Sequence, residues 1–143
     1  MKILVINGPN LNMLGKREAS QYGDITFFEL ESLILEKAES LQMEVELFQS
    51  NFEGEIVEKI QRSETYDGII INAGAYTHTS IAIRDALLAA RSKFIEVHIS
   101  NVYSREPFRH KSYLSDIAIG VIAGFKEYSY IMALDYFSSG VWQ

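Results

Sequence analysis

Apolar positions along this chain fall into short runs that switch between two periods. Lys2–Ile6 (KILVI) is nearly continuous and stops at Asn7-Gly8-Pro9, which predicts a strand buried on both faces of a parallel sheet. From Asn7 to Gly23 the periodicity disappears and Gly8, Pro9, Gly15 and Gly23 intervene, so this is read as a long loop of the kind usually kept for function. Thr26-Phe27-Phe28-Glu29 has capping-box spacing and predicts a helix to about Leu41. In Glu44–Gln49, Val45 and Leu47 alternate with Glu, as in a half-buried strand. Ser50-Asn51-Phe52-Glu53 repeats the capping-box spacing ahead of Ile56, Val57 and Ile60. Gly68–Asn72 (GIIIN), a helix from about Ser80 to Ala90, strands at Phe94–Ile99 and Ile117–Ile122, and a helix near Tyr128–Phe137 complete the series.

Strands that alternate with helices in this way require a parallel sheet with right-handed crossovers. With five strands, the expected architecture is α/β, a flavodoxin-like three-layer sandwich with strand order 2-1-3-4-5. The 143 residues suit a single domain over 1–143 with one sizeable core.

Composition narrows the class further. The chain is 48% hydrophobic and 22% charged, and no apolar run approaches the roughly eighteen residues that would suggest a membrane span. Met1–Ile6 is too short an apolar stretch for a signal-peptide core, so a cytoplasmic location is expected. Cysteine is absent, which removes disulfides, thiol nucleophiles and thiolate zinc sites. A net charge of −6 argues against nucleic-acid or anionic-membrane surfaces, which need clustered Lys and Arg. Any anionic ligand must be held by local arginines.

Ligands of open parallel sheets bind beyond the carboxyl ends of the strands. On that rim the predicted strands end in Asn7-Gly8-Pro9-Asn10, Asn72-Ala73-Gly74 and His98-Ile99-Ser100-Asn101. Asn and Gly are good turn residues singly; their joint placement on one rim points to recognition. In the first loop, Arg17 lies close in sequence to Tyr22. Moving a phenol from about 10 to about 7 takes roughly 4 kcal/mol, and one neighbouring cation supplies about 1–3 pKa units. Arg17 alone barely suffices, so a second cation such as Arg109 or Arg105 is expected to assist. An isolated loop tyrosine is more often a plain aromatic anchor. His78 precedes a helix start, where free amides favour an anion, although capping alone is an ordinary role there. His98 ends an apolar strand with Glu96 two residues earlier on the same face, placed to orient the ring or keep it protonated; a satisfied core histidine is the competing account. No His-Glu-x-x-His spacing supports a metal at His78, Asp85 and His98, and neither glycine-rich nucleotide motif occurs.

Three segments together resemble the type II 3-dehydroquinate dehydratases: Asn7 to Glu18 (NGPNLNMLGKRE) followed by Tyr22-Gly23, Asn72 to Ser80 (NAGAYTHTS), and Glu96 to Asn101 (EVHISN). The resemblance runs in order to about Gly124. It implies an anti elimination of water from 3-dehydroquinate through an enolate in the shikimate pathway, with no Schiff base, metal or coenzyme. Tyr22 would be the base and Arg17 its partner on a mobile loop; His98 would be the general acid, with Glu96 and Asn10 orienting the imidazole or a bound water. Substrate contacts would come from Asn72, His78, Asp85, Ile99, Ser100 and Arg109. It also implies a homo-oligomer, a dodecamer built from trimers, in which Asp85 serves a neighbour's site.

One departure is visible. Where the family usually has Pro after Arg-Glu, this chain has Ala19, which is expected to enlarge the ensemble of open loop conformations while leaving the reacting residues unchanged. The main rival reading is a flavodoxin-like binding or signalling module without turnover. A phosphoryl-accepting receiver would need carboxylates where this chain has Asn7 and Asn72.

Overall fold

A computed structural model describes residues 1–16 and 25–143. Five parallel strands, β1 (Lys2–Asn7), β2 (Glu44–Gln49), β3 (Gly68–Asn72), β4 (Phe94–His98) and β5 (Gly120–Ala123), form one sheet in the order β2-β1-β3-β4-β5. This is the expected doubly wound order. Helices α1 (Phe27–Ser40), α2 (Glu53–Gln61), α3 (Ile81–Ala89) and α4 (Tyr128–Ser139) pack on its two faces.

Period-two alternation in the strands decides which residue meets which layer. Ile3 and Val5 of β1, Ile70 of β3, and Ile95 and Val97 of β4 point to the face covered by Leu30, Ile34 and Ala38 of α1 and by Ala133, Leu134 and Phe137 of α4. Leu4, Ile6, Ile69, Ile71 and Phe94 point the other way, against Ile56 and Ile60 of α2 and Ile83, Ala86 and Leu87 of α3. Burial on both faces is why β1 and β3 read as nearly unbroken apolar runs, whereas β4, equally buried, carries Glu96 and His98 within its run.

The capping expectation holds at α1, where Thr26 Oγ1 accepts from the Glu29 amide at 3.1 Å. It fails at α2, whose N-cap is Phe52 without a side-chain cap. There Ser50 Oγ instead accepts from the Phe52 amide at 2.9 Å and donates to Glu55 Oε2 at 2.6 Å, closing a turn two residues ahead of the N-cap position. Strand β5 begins at Gly120 rather than Ile117, because Ser115–Ile117 is a 3-10 turn. The apolar side chains there pack from an irregular segment, which periodicity does not distinguish from a short strand.

Adjacent strand ends are tied closely together. Asn7 is opposite Asn72 in the β1–β3 register, and the Gly8 amide donates to the Asn72 carbonyl at 2.8 Å. A Cβ on Gly8 would lie 2.3 Å from the Ala73 carbonyl oxygen, so only glycine allows the two turns to cross here. Asn10 holds φ at 68°, and its amide donates to Asn51 Oδ1 at 3.0 Å. Part of the long first loop is therefore regular: Leu11–Met13 forms a 3-10 turn with Leu11 buried.

Candidate active site

The carboxyl ends of β1, β3 and β4 surround a cavity of about 130 Å³ lined by Asn10, Asn72, His78, His98, Ile99, Ser100, Arg105 and Arg109, among others. Enclosed by the described residues alone, it suits a compact ligand rather than a nucleotide. The sheet puts these groups together although they are spread over about a hundred positions of sequence, because parallel strands present all their carboxyl ends on one rim.

Glu96 and His98, two residues apart on β4, point to the same face and are 1% and 5% exposed. His98 Nε2 lies 2.6 Å from Glu96 Oε2. Glu96 also accepts hydrogen bonds from Ser112 Oγ at 2.8 Å and from Ser115 Oγ at 2.9 Å. Burial pushes the Glu96 carboxyl upward. The hydrogen bond and charge of His98, with the two serine hydroxyls, outweigh that and hold it below the usual carboxylate range. With Glu96 ionised, Nε2 carries hydrogen and Nδ1 is the nitrogen left for other partners. Ser129 Oγ, on α4, anchors the end of β4 by donating to the His98 carbonyl at 3.0 Å.

His78 sits in the turn after β3, its ring stacked on His98 at 6.3 Å between centroids. Its Nδ1 is 2.7 Å from the Lys111 carbonyl oxygen, so Nδ1 donates and Nε2 is the acceptor of the neutral ring. Burial lowers its pKa, and the nearby His98 and Arg109 act in the same direction, against the Lys111 carbonyl and Glu96. This turn is held by Ser80 Oγ, which caps α3 by accepting from the Ile83 amide at 2.9 Å. His78 is thus a neutral hydrogen-bonding group rather than a fixed charge.

Asn72 is oriented from below. Its Nδ2 donates to Tyr130 Oη at 2.9 Å, its Oδ1 accepts from the Gly74 amide at 3.2 Å, and Tyr130 Oη donates to Asn7 Oδ1 at 2.5 Å. The positive groups come from the segment after β4. Arg105 Nη1 donates to Ser100 Oγ at 3.2 Å, and Arg109 Nε donates to both Glu106 oxygens at 3.2 Å.

Of the residues singled out in the sequence, Asn10, Asn72, His78, His98, Ile99, Ser100 and Arg109 line this cavity, and Glu96 lies beneath it on His98. Arg17 and Tyr22 lie outside the described residues. Asp85 is exposed on α3 and does not line the cavity of its own chain. Asn10 contributes its position, and its backbone hydrogen bond goes to Asn51 rather than to His98. Sequence reasoning missed Ser112, Ser115 and Tyr130. The serines sit in an irregular segment and Tyr130 in an apolar helix, where no spacing signals a polar partner.

A buried carboxylate–imidazole pair, a second histidine of fixed tautomer and two arginines, converging at the strand ends of a 2-1-3-4-5 sheet, define an α/β enzyme built for acid–base chemistry on a small anion. The chain belongs to the class II dehydroquinase family, whose model matches residues 1–138. A 3-dehydroquinate dehydratase of Prochlorococcus marinus (strain NATL1A) is 55% identical over 136 residues, 94% of each chain. Its counterpart in Histophilus somni (strain 2336) is 53% identical over 139 residues, covering 96% of this chain and 93% of the relative. The crystal structure of the type II dehydroquinase from Butyrivibrio crossotus DSM 2876 superposes with a TM-score of 0.93 at 53% identity, covering 95% of this chain and 96% of that one.

Proposed function

We propose that this chain is a 3-dehydroquinate dehydratase that converts 3-dehydroquinate to 3-dehydroshikimate and water by anti elimination through an enolate. The observation that carries the reading is the convergence of the motif residues Asn72, His78, His98, Ser100 and Arg109 on one cavity in a chain of this family.

Tyr22, as phenolate promoted by Arg17, takes the proton from the carbon beside the ketone, and the electron pair left behind becomes the enolate. Collapse of the enolate expels the hydroxyl, which leaves as water on receiving a proton from His98. Acid and base are then separate residues, each suited to one proton transfer. Glu96 holds the far side of the imidazole, so Nδ1 is the nitrogen that addresses the substrate. Arg109 supplies a guanidinium fork for a substrate oxyanion, and Asn72, His78 and the Ile99-Ser100 segment supply neutral polar contacts. Asn10 borders the same space and orients the imidazole or a water. The chemistry uses no coenzyme or metal.

Assembly into trimers, and of trimers into a dodecamer, accounts for Asp85. Its exposure on α3, away from its own cavity, is what a residue serving a neighbouring copy's site requires. The chain works as a single domain over 1–143. Among the described residues no helix is long and apolar enough to cross a membrane, in keeping with a cytoplasmic enzyme.

An ultraviolet assay with 3-dehydroquinate, following the conjugated product, tests this reading. Turnover that resists chelator and borohydride and is lost in Tyr22→Phe supports the enolate route. A folded wild-type protein that produces no conjugated product overturns it and returns the binding-module reading.

A further inference from the structure

The Glu96 carboxylate rests in a seat whose construction specifies where protons can be. Ser112 Oγ accepts two backbone amides, from Leu114 at 3.0 Å and Ser115 at 3.1 Å, and this occupies its acceptor capacity. Its single proton therefore goes to Glu96 Oε1, 2.8 Å away. Ser115 Oγ aims its own proton at the same carboxylate, 2.9 Å from Oε1 and 3.1 Å from Oε2. A proton on Oε1 would face Ser112, which has no lone pair left to accept it, and would require Ser115 to turn its own proton away; a proton on Oε2 would compete with the His98 Nε2 hydrogen for the same short contact. One hydroxyl that can only donate, and a second whose proton lies on the same carboxylate, thus fit a carboxylate better than a carboxylic acid in the same place.

We propose that Ser112 and Ser115 are positioning residues that hold Glu96 ionised and thereby keep the proton of the Glu96–His98 pair on the imidazole. Neither of them lines the cavity. Their segment is held against α3 by Arg84, whose Nη1 donates to the Tyr113 carbonyl at 2.8 Å and to Asp116 Oδ1 at 2.5 Å. Leu114 between them is fully buried in the core under the sheet, so the hydroxyls have little freedom to turn away. The ionisable and charged groups facing the pair from other elements are His78, from the turn after β3, and Arg105 and Arg109, from the segment after β4. All three bear on the imidazole side of the pair, and the serines are the neutral donors on the carboxylate side.

The proposal rests on His98 as the acid of the reaction, and its test is separable from that reading because the central measurement needs no turnover. Infrared difference spectra of the purified assembly are recorded against pH, with Glu96→Gln as the blank that identifies the Glu96 band. In Ser115→Ala and Ser112→Ala the protonated-carboxyl band of Glu96 is expected to appear about one pH unit higher than in wild type, the size of one lost hydrogen bond to an ionised group. Ser115→Thr, which keeps the hydroxyl, is expected to restore the wild-type midpoint. In the alanine variants kcat falls while KM holds, since the substrate loses no contact. Ser112 also ties its turn, so if Ser112→Ala does not fold, Ser115→Ala decides alone. A Glu96 band that does not move, or one that moves while kcat keeps its wild-type value, overturns the proposal.

Discussion

Tyr130→Phe removes one oxygen atom from the floor of the site, and the structure specifies what that deletion leaves behind. Tyr130 is fully buried, and its hydroxyl donates to Asn7 Oδ1 while accepting from Asn72 Nδ2. Burial pushes the phenol far above its ordinary value, more than the Asn72 hydrogen bond pulls it down, so both hydrogen bonds persist at every working pH. Phenylalanine leaves an acceptor on Asn7 and a donor on Asn72 without partners, in side chains only 1% and 3% exposed. Each orphaned group costs about 1–3 kcal/mol, and the hydroxyl that no longer has to be buried returns a similar amount once. The net loss is therefore about 2 kcal/mol, or a fall in Tm of roughly 4–8 °C for a chain of this size. Denaturation at matched protein concentration measures it, with subunit association held constant between variants. Freed from Tyr130, the Asn72 amide should also lose its orientation, raising KM. A variant within about 0.5 kcal/mol of wild type, with unchanged KM, would refute the reasoning, because it would mean the two asparagines find other partners.

The remaining expectations concern the strand ends, the carboxylate and the assembly. Gly8→Ala should cost about 3 kcal/mol or more, since its Cβ meets backbone oxygen at 2.3 Å and neither turn can move independently; thermal unfolding of the variant measures it. For Glu96 the folded-state value is depressed, so its contribution to stability is fully present above the usual carboxylate range near about 4.3 and is lost as pH falls through the lower folded value. Urea midpoints of wild type and Glu96→Gln should therefore converge as pH drops below about 4 and separate above it. Co-assembly of Asp85→Ala chains with His98→Ala chains should recover activity that neither variant has alone, by forming mixed sites; no recovery in verified hybrids would place Asp85 outside the neighbour's site. Ala19→Pro should leave the proposed dependence on Tyr22 intact while altering inhibitor affinity or kcat/KM, as a narrower ensemble of the unliganded chain would, and identical kinetics would count against a role for Ala19 in loop closure.

Much of this protein follows from its sequence because the signals are local. The nearly unbroken apolar runs of β1 and β3, and the run of β4 broken by Glu96 and His98, announce strands buried on both faces, and their alternation with helices restricts the sheet to a parallel, doubly wound order. Residues at the carboxyl ends of those strands, Asn72 and His98 among them, were identifiable as site candidates by that rule alone, and Glu96 joined them through period-two alternation. What only the tertiary structure decided involves partners distant in sequence. Tyr130 meets Asn7 across 123 positions, and Ser112 and Ser115 reach Glu96 from an irregular segment across 16 and 19. Hydroxyls of this kind leave no periodic trace, since their role depends on partners that chain folding alone brings to them, such as the two backbone amides that occupy the Ser112 lone pairs. The failed cap at Ser50 has the same origin, because the Glu55 carboxylate and the Phe52 amide took the hydroxyl before the helix could use it.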